Sequence, residues 1–120
     1  MANILVVDDS ASMRNMVSAT LQSAGHQVQD AGDGQQALAR ANGGRFDAVI
    51  TDLNMPVMNG IELVKNLRAM PNYKYTPILL LTTESSDGKK AEGKQAGATG
   101  WLVKPFNPEK LLATVARVLG

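Results

Sequence analysis

Four short apolar runs, each ending in a polar or charged residue, set the rhythm of the chain. They are Ile4-Leu5-Val6-Val7 before Asp8-Asp9, Ala48-Val49-Ile50 before Thr51-Asp52, Ile78-Leu79-Leu80-Leu81 before Thr82-Thr83, and Trp101-Leu102-Val103 before Lys104. Runs this short, bounded by breakers, read as strands covered on both faces. Residues 26–31 alternate more weakly around Val28, which suits an edge strand. Between these segments the apolar spacing becomes helical. Met13, Met16, Val17 and Leu21 form one stripe, stopped by Gly25. Asp33-Gly34 opens a short helix carrying Ala37, Leu38 and Ala41, closed by Gly43-Gly44. Ile61, Val64 and Leu67 mark a third helix after a loop over 54–60, and residues 70–77 read as a connection. The last helix is capped by Asn107, begins with Pro108, and carries Leu111, Leu112, Val115, Val118 and Leu119. Residues 86–96 have helix length but almost no apolar face, with Gly88 and Gly93 inside. Each interior glycine costs ~1 kcal/mol relative to alanine, so this helix is expected to be the least stable.

Five strands alternating with five helices imply a parallel sheet with right-handed crossovers and helices on both faces. The expected fold is a single α/β domain over 1–120, doubly wound and flavodoxin-like, in strand order 2-1-3-4-5. The switch point of that order lies between strands one and three, and these are the strands that end in Asp8-Asp9 and Asp52. The 120 residues are 44% hydrophobic, enough for one core. Twelve basic and eleven acidic residues leave a net charge of +1, which gives no field for nucleic acid or an anionic membrane. There is no cysteine, which rules out disulfides and thiolate metal sites. No run approaches the ~20 apolar residues of a membrane helix, and no signal peptide is evident; a cytoplasmic location is expected.

Three carboxylates gathered at one crevice repel one another unless a cation intervenes. Hard oxygen ligands suit Mg²⁺, which typically takes one or two carboxylates plus a phosphate. A carboxylate can also attack phosphorus to give an acyl phosphate, whose oxygens then need positive charge and donors around them. Lys104 and Thr82, each closing its own strand, supply an ammonium and a hydroxyl. Each residue also has a plainer reading: Asp8-Asp9 as helix capping, Asp52 as a turn residue, Thr82 as an ordinary strand end, Trp101 as core filler. His26, following Gly25, reads as solvated, and the six methionines as gap filling at helical core positions.

The ordered set Val7-Asp8-Asp9, Asp52-Leu53-Asn54-Met55-Pro56 with Gly60, Thr82, and Lys104-Pro105-Phe106 resembles the response-regulator receiver domains, in their stand-alone CheY-like form. The resemblance spans the chain and leaves nothing for an output domain. It implies that Asp52 is the phosphoacceptor, that Asp9 binds Mg²⁺ directly, and that Asp8 acts largely through bound water. The carbonyl of Asn54 would complete the ligands, with Thr82 and Lys104 contacting the phosphoryl group. The Lys104-Pro105 bond would be cis, and Trp101 would hold the aromatic switch position, usually Tyr or Phe. Asn54 and Glu84 would occupy the two variable positions that influence hydrolysis. Thr83 stands where many receivers have alanine. The implied partners are a CheA-like histidine kinase and a downstream target such as the flagellar switch protein FliM, with the chain itself a monomer.

Several functions follow from such a chain. The first is a phosphorylation-dependent signalling module, most simply in chemotaxis, acting on no substrate beyond its own aspartyl phosphate. The fourth helix, Asp87-Gly88-Lys89-Lys90-Ala91-Glu92-Gly93-Lys94, lacks the apolar residues usual in motor-binding CheY proteins. A phosphate sink or a regulator outside chemotaxis therefore stands beside the motor reading. A small Mg²⁺-dependent phosphohydrolase of the haloacid dehalogenase type would use the same nucleophile. Its second carboxylate is replaced here by Asn54, however, and it would need a cap domain. An FMN carrier is disfavoured, because two aspartates would repel the phosphate.

Overall fold

The computed structural model describes residues 2–83, 86–104 and 107–120. Strand β1 (Asn3–Val7) pairs in parallel with β2 (Gln27–Ala31) on one side and β3 (Ala48–Thr51) on the other; β4 (Ile78–Thr82) and β5 (Gly100–Val103) follow. The order β2-β1-β3-β4-β5 is the one expected from the alternation of apolar patterns. Helices α1 (Ala11–Ser23), α2 (Gly34–Gly43), α3 (Gly60–Arg68), α4 (Asp87–Ala96) and α5 (Pro108–Leu119) make the crossovers.

Side-chain alternation along the strands divides the core in two. Leu5, Val7, Val49, Ile78 and Leu80 face one layer, where Ala37 and Ala41 of α2 and Val64 and Leu67 of α3 cover them. Ile4, Val6, Ile50, Leu79 and Leu81 face the other, beneath Val17 and Leu21 of α1 and Leu111 and Val115 of α5. Because β1, β3 and β4 are buried on both faces, they read as unbroken apolar runs in the sequence.

Helix ends follow their caps. Asp33 accepts from the N–H of Gln36, Ser86 from that of Lys89, and Asn107 from those of Glu109 and Lys110. Asn59 and Glu62 form a reciprocal capping box on α3. As its sequence implies, α4 is the weakly anchored helix, with Gly93 its only buried residue.

Three expectations need correction. Met16 is exposed, because the buried stripe of α1 runs through Met13, Val17 and Leu21 and passes it by. Of the methionines described, only Met13 and Met16 lie in helices; Met55, Met58 and Met70 fill gaps from loops. His26 is half-buried, and its Nδ1 accepts the N–H of Ala2 at 3.3 Å. The connection at 70–77 is also more than a linker. It holds a 3-10 turn (Pro71–Tyr73) whose Tyr73 is buried, its hydroxyl donating to the carbonyls of Ala41 and Gly44 at 2.9 and 3.1 Å.

Candidate phosphorylation and metal site

Ladder hydrogen bonds bring the functional residues to one row at the carboxyl edge of the sheet. The N–H of Asp8 donates to Ala31 O, that of Asp52 to Val7 O, and that of Lys104 to Thr82 O. Each residue is thus the first beyond its strand, tied to the end of a neighbour. This edge, at the switch point between β1 and β3, is where open α/β sheets bind ligands.

The side chains converge there. Carboxylate oxygens of Asp8, Asp9 and Asp52 lie within 4.8 Å of one another. Asp8 and Asp52 are buried, while Asp9 is exposed. Asp8 Oδ1 accepts the N–H of Ser10 at 2.9 Å, and its Oδ2 accepts Lys104 Nζ at 2.9 Å. Asp52 Oδ1 accepts the N–H of Leu53 at 2.8 Å, and its Oδ2 lies 3.4 Å from Lys104 Nζ. Burial raises the Asp52 carboxyl above its ordinary value; Lys104 opposes this, Asp8 adds to it, and the Leu53 N–H opposes it again. The donor set is all hard carboxylate oxygen within reach of a single ion, with one face open to water through Asp9. That arrangement fits a divalent cation of the Mg²⁺ kind.

The loop after β3 is held close to this site. The N–H of Gly60 donates to Leu53 O at 2.8 Å, and a Cβ at Gly60 would collide with Asp52 O and come within 2.9 Å of Leu53 Cα. Only glycine lets α3 begin so near the Asp52 backbone. At the tip, Met58 N–H donates to Pro56 O at 2.8 Å around Val57, which has φ 70° and is 86% exposed. This is a γ-turn of the rarer, positive-φ kind. Asn54 lies in the same loop with its side chain exposed.

Thr82 is fully buried at the end of β4, and Thr83 beyond it is exposed. Trp101 is half-buried between β4 and α4. A Cβ on Gly93 would come to 3.1 Å of its Cζ3, and the ring lines an open cavity of about 340 Å³ with Lys90 and Lys94. The expectations on Glu84, on the Lys104-Pro105 bond and on Phe106 fall outside the described residues. The carboxylates and Lys104 are thus brought together; Thr82 shares their edge, and Trp101 lies along β5 toward α4.

Sequence reasoning passed over Arg14. It lies in α1, where an arginine reads as a solvated helix residue. Its Nη1 donates instead to Asp8 O at 2.7 Å, while its Nε pairs with Asp30 at 3.1 Å. No pattern in the chain marks that contact, because it depends on how α1 is seated over β2.

A five-stranded doubly wound domain with an acidic crevice and a lysine at its switch point defines a class: small α/β modules built around a reactive carboxylate. Within that class the chain belongs to the response regulator receiver domain family, whose profile matches residues 4–116. It is a phosphorylation-dependent signalling module of the two-component kind. It is 44% identical over 109 residues to chemotaxis protein CheY-3 of Vibrio cholerae, covering 90% of this chain and 84% of the relative. It is 37% identical over 116 residues to chemotaxis protein CheY of Pseudomonas aeruginosa, covering 96% and 94%. Among solved structures, chemotaxis protein CheY4 of Vibrio cholerae superposes with a TM-score of 0.95 at 63% identity, covering 98% of each chain. The receiver domain of a Pseudomonas aeruginosa sensor histidine kinase, solved with magnesium coordinated in its active-site cleft, superposes with a TM-score of 0.92 at 33% identity, covering 99% and 98%.

Proposed function

We propose that Asp52 is the phosphoacceptor of a chemotaxis phosphorelay, loaded by a CheA-like histidine kinase in the cytoplasm. The observation that carries this reading is the convergence of the Asp8, Asp9 and Asp52 carboxylates with the Lys104 ammonium in a member of the receiver family. An oxygen of the Asp52 carboxylate attacks the phosphorus, the P–N bond to the kinase imidazole breaks, and the imidazole leaves with its electron pair. The Leu53 N–H holds the carboxylate plane, and Lys104 offsets charge on the phosphoryl oxygens. Mg²⁺ held by Asp8, Asp9, Asp52 and the Asn54 carbonyl would neutralise those oxygens further. Water later hydrolyses the acyl phosphate within the domain, so no external substrate turns over.

Thr82 and Trp101 form the switch. Thr82 closes β4 at the sheet edge that carries Asp52, and in this reading its hydroxyl bonds the phosphoryl group through a rearrangement of the end of β4. That rearrangement frees space beside Trp101, and the α4–β5–α5 surface changes its population of binding-competent states. The output is a downstream protein target, and in the motor version of this reading that target is the flagellar switch protein FliM. A second reading, a phosphate sink, is favoured by the polar α4, which carries Lys89, Lys90 and Lys94.

The decisive experiment is incubation with acetyl phosphate and Mg²⁺, read by intact mass and Trp101 fluorescence. Wild type gains the mass of one phosphoryl group and its fluorescence changes; Asp52→Asn gains none. Labelling of Asp52→Asn equal to wild type removes Asp52 from the mechanism. Titration with a FliM N-terminal peptide under a phosphoryl mimic then separates the outputs, since a sink shows no gain in affinity.

A further inference from the structure

The acidic crevice depends on the direction of one peptide plane, and Arg14 holds it. Four polar groups of Asp8 are engaged: its N–H by Ala31 O, Oδ1 by the Ser10 N–H, Oδ2 by Lys104, and its carbonyl by Arg14 Nη1 at 2.7 Å. That carbonyl belongs to the peptide joining Asp8 to Asp9. The peptide is planar, so fixing the carbonyl also fixes the direction in which Asp9 leaves. Asp9 is exposed, and it must nonetheless bring its carboxylate to those of Asp8 and Asp52.

We propose that Arg14, braced by Asp30, is a positioning residue for the divalent-cation site, orienting the Asp8-Asp9 peptide so that Asp9 can complete it. The inference rests on the metal reading given above. The guanidinium is suited to the task because its planar fork serves two acceptors at once, Nη1 toward the Asp8 carbonyl and Nε toward Asp30 Oδ2 at 3.1 Å. A lysine ammonium on a flexible stem lacks that fixed geometry. The guanidinium packs over the turn after β2, where a Cβ on Gly32 would stand 3.4 Å from Nη1. The Arg14 and Asp30 side chains are 21% and 45% exposed. The ion pair itself contributes little to stability at that exposure. Loss of Arg14 also strands the Asp8 carbonyl, so ion affinity, and not the thermal midpoint, is the readout that reports positioning. Residues that orient metal ligands typically change affinity 10–100-fold when removed.

The test is calorimetric titration of Mg²⁺ into the full chain without phosphodonor, alongside the Mg²⁺ dependence of labelling by acetyl phosphate. Arg14→Ala is expected to weaken Mg²⁺ binding about tenfold, with the labelling rate at saturating Mg²⁺ near that of wild type. Arg14→Lys recovers part of the affinity, and Asp30→Asn shifts it in the same direction by less. Unchanged Mg²⁺ affinity in Arg14→Ala, with or without a lower thermal midpoint, overturns the proposal. If that variant does not fold, unchanged affinity in Arg14→Lys and Asp30→Asn does so. Wild type that binds no Mg²⁺ instead overturns the metal reading underneath.

Discussion

The ammonium of Lys104 lies 2.9 Å from Asp8 Oδ2 but 3.4 Å from Asp52 Oδ2, so the lysine is tied first to Asp8. Removing the charge of Asp52 therefore leaves Lys104 partnered. Burial raises the Asp52 carboxyl above its ordinary value of 3.8, so the folded protein keeps that proton to higher pH than the unfolded chain does. Stability consequently falls as pH rises from the ordinary value through the raised one, and the penalty is complete above both. Without divalent ion, Asp52→Asn is expected to melt a few degrees higher than wild type at neutral pH. The difference should close as pH drops below the ordinary carboxylate range. Thermal melts between about pH 3 and pH 8 check this; a constant gap across that range would assign the effect to something other than the carboxyl proton.

Loss of the lysine has the opposite sign. Lys104→Met leaves two buried carboxylates facing each other with no cation between them. The expected cost is about 3–5 kcal/mol at neutral pH in a chelator. Saturating Mg²⁺ should return most of it, since the ion supplies the missing charge. Urea titrations with and without Mg²⁺ measure both.

Two glycines of α4 should respond differently to alanine. A Cβ on Gly88 meets nothing within 4 Å, so Gly88→Ala is expected to gain roughly 0.5 kcal/mol of helix propensity. A Cβ on Gly93 would come to 2.9 Å of Leu80 Cδ1 and 3.1 Å of Trp101 Cζ3, so Gly93→Ala must displace the helix or the indole. A shift in Trp101 emission with no gain in stability is expected. Hydrogen exchange should find the amides of α4 less protected than those of β1 in the wild type and better protected in Gly88→Ala.

Arg68 holds the far end of that helix. Its guanidinium donates to Gly97 O at 2.8 and 3.0 Å, to Tyr73 O at 2.7 Å and to Thr76 O at 2.6 Å. Arg68→Met abandons three carbonyls at once, and a loss of about 2 kcal/mol is expected. Exchange should accelerate at the end of α4 and the start of β5 while the acidic edge keeps its Mg²⁺ affinity.

The strands and their order could be read from the chain because β1, β3 and β4 are covered on both faces and so show as plain apolar runs. The carboxylates were legible for the same reason, each marking where such a run stops. Arg14 and Arg68 were not. Both act on backbone carbonyls outside their own helices, and an arginine bound to a carbonyl leaves the same letter as one facing water. Tyr73 escaped likewise, since its two acceptors belong to the end of α2 rather than to any neighbour in sequence. Met16 misled because it adjoins Val17, one step around the helix from the buried stripe.

The division of the core by the sheet has a mechanical consequence. The layer under α2 and α3 and the layer under α1 and α5 are separate packings that share only the strands. A push on either one is therefore transmitted to the other as a displacement of strand backbone. β1, β3, β4 and β5 all terminate beside the same few side chains, so motion originating in either half of the molecule converges on the carboxylates, and a change there is felt in both halves.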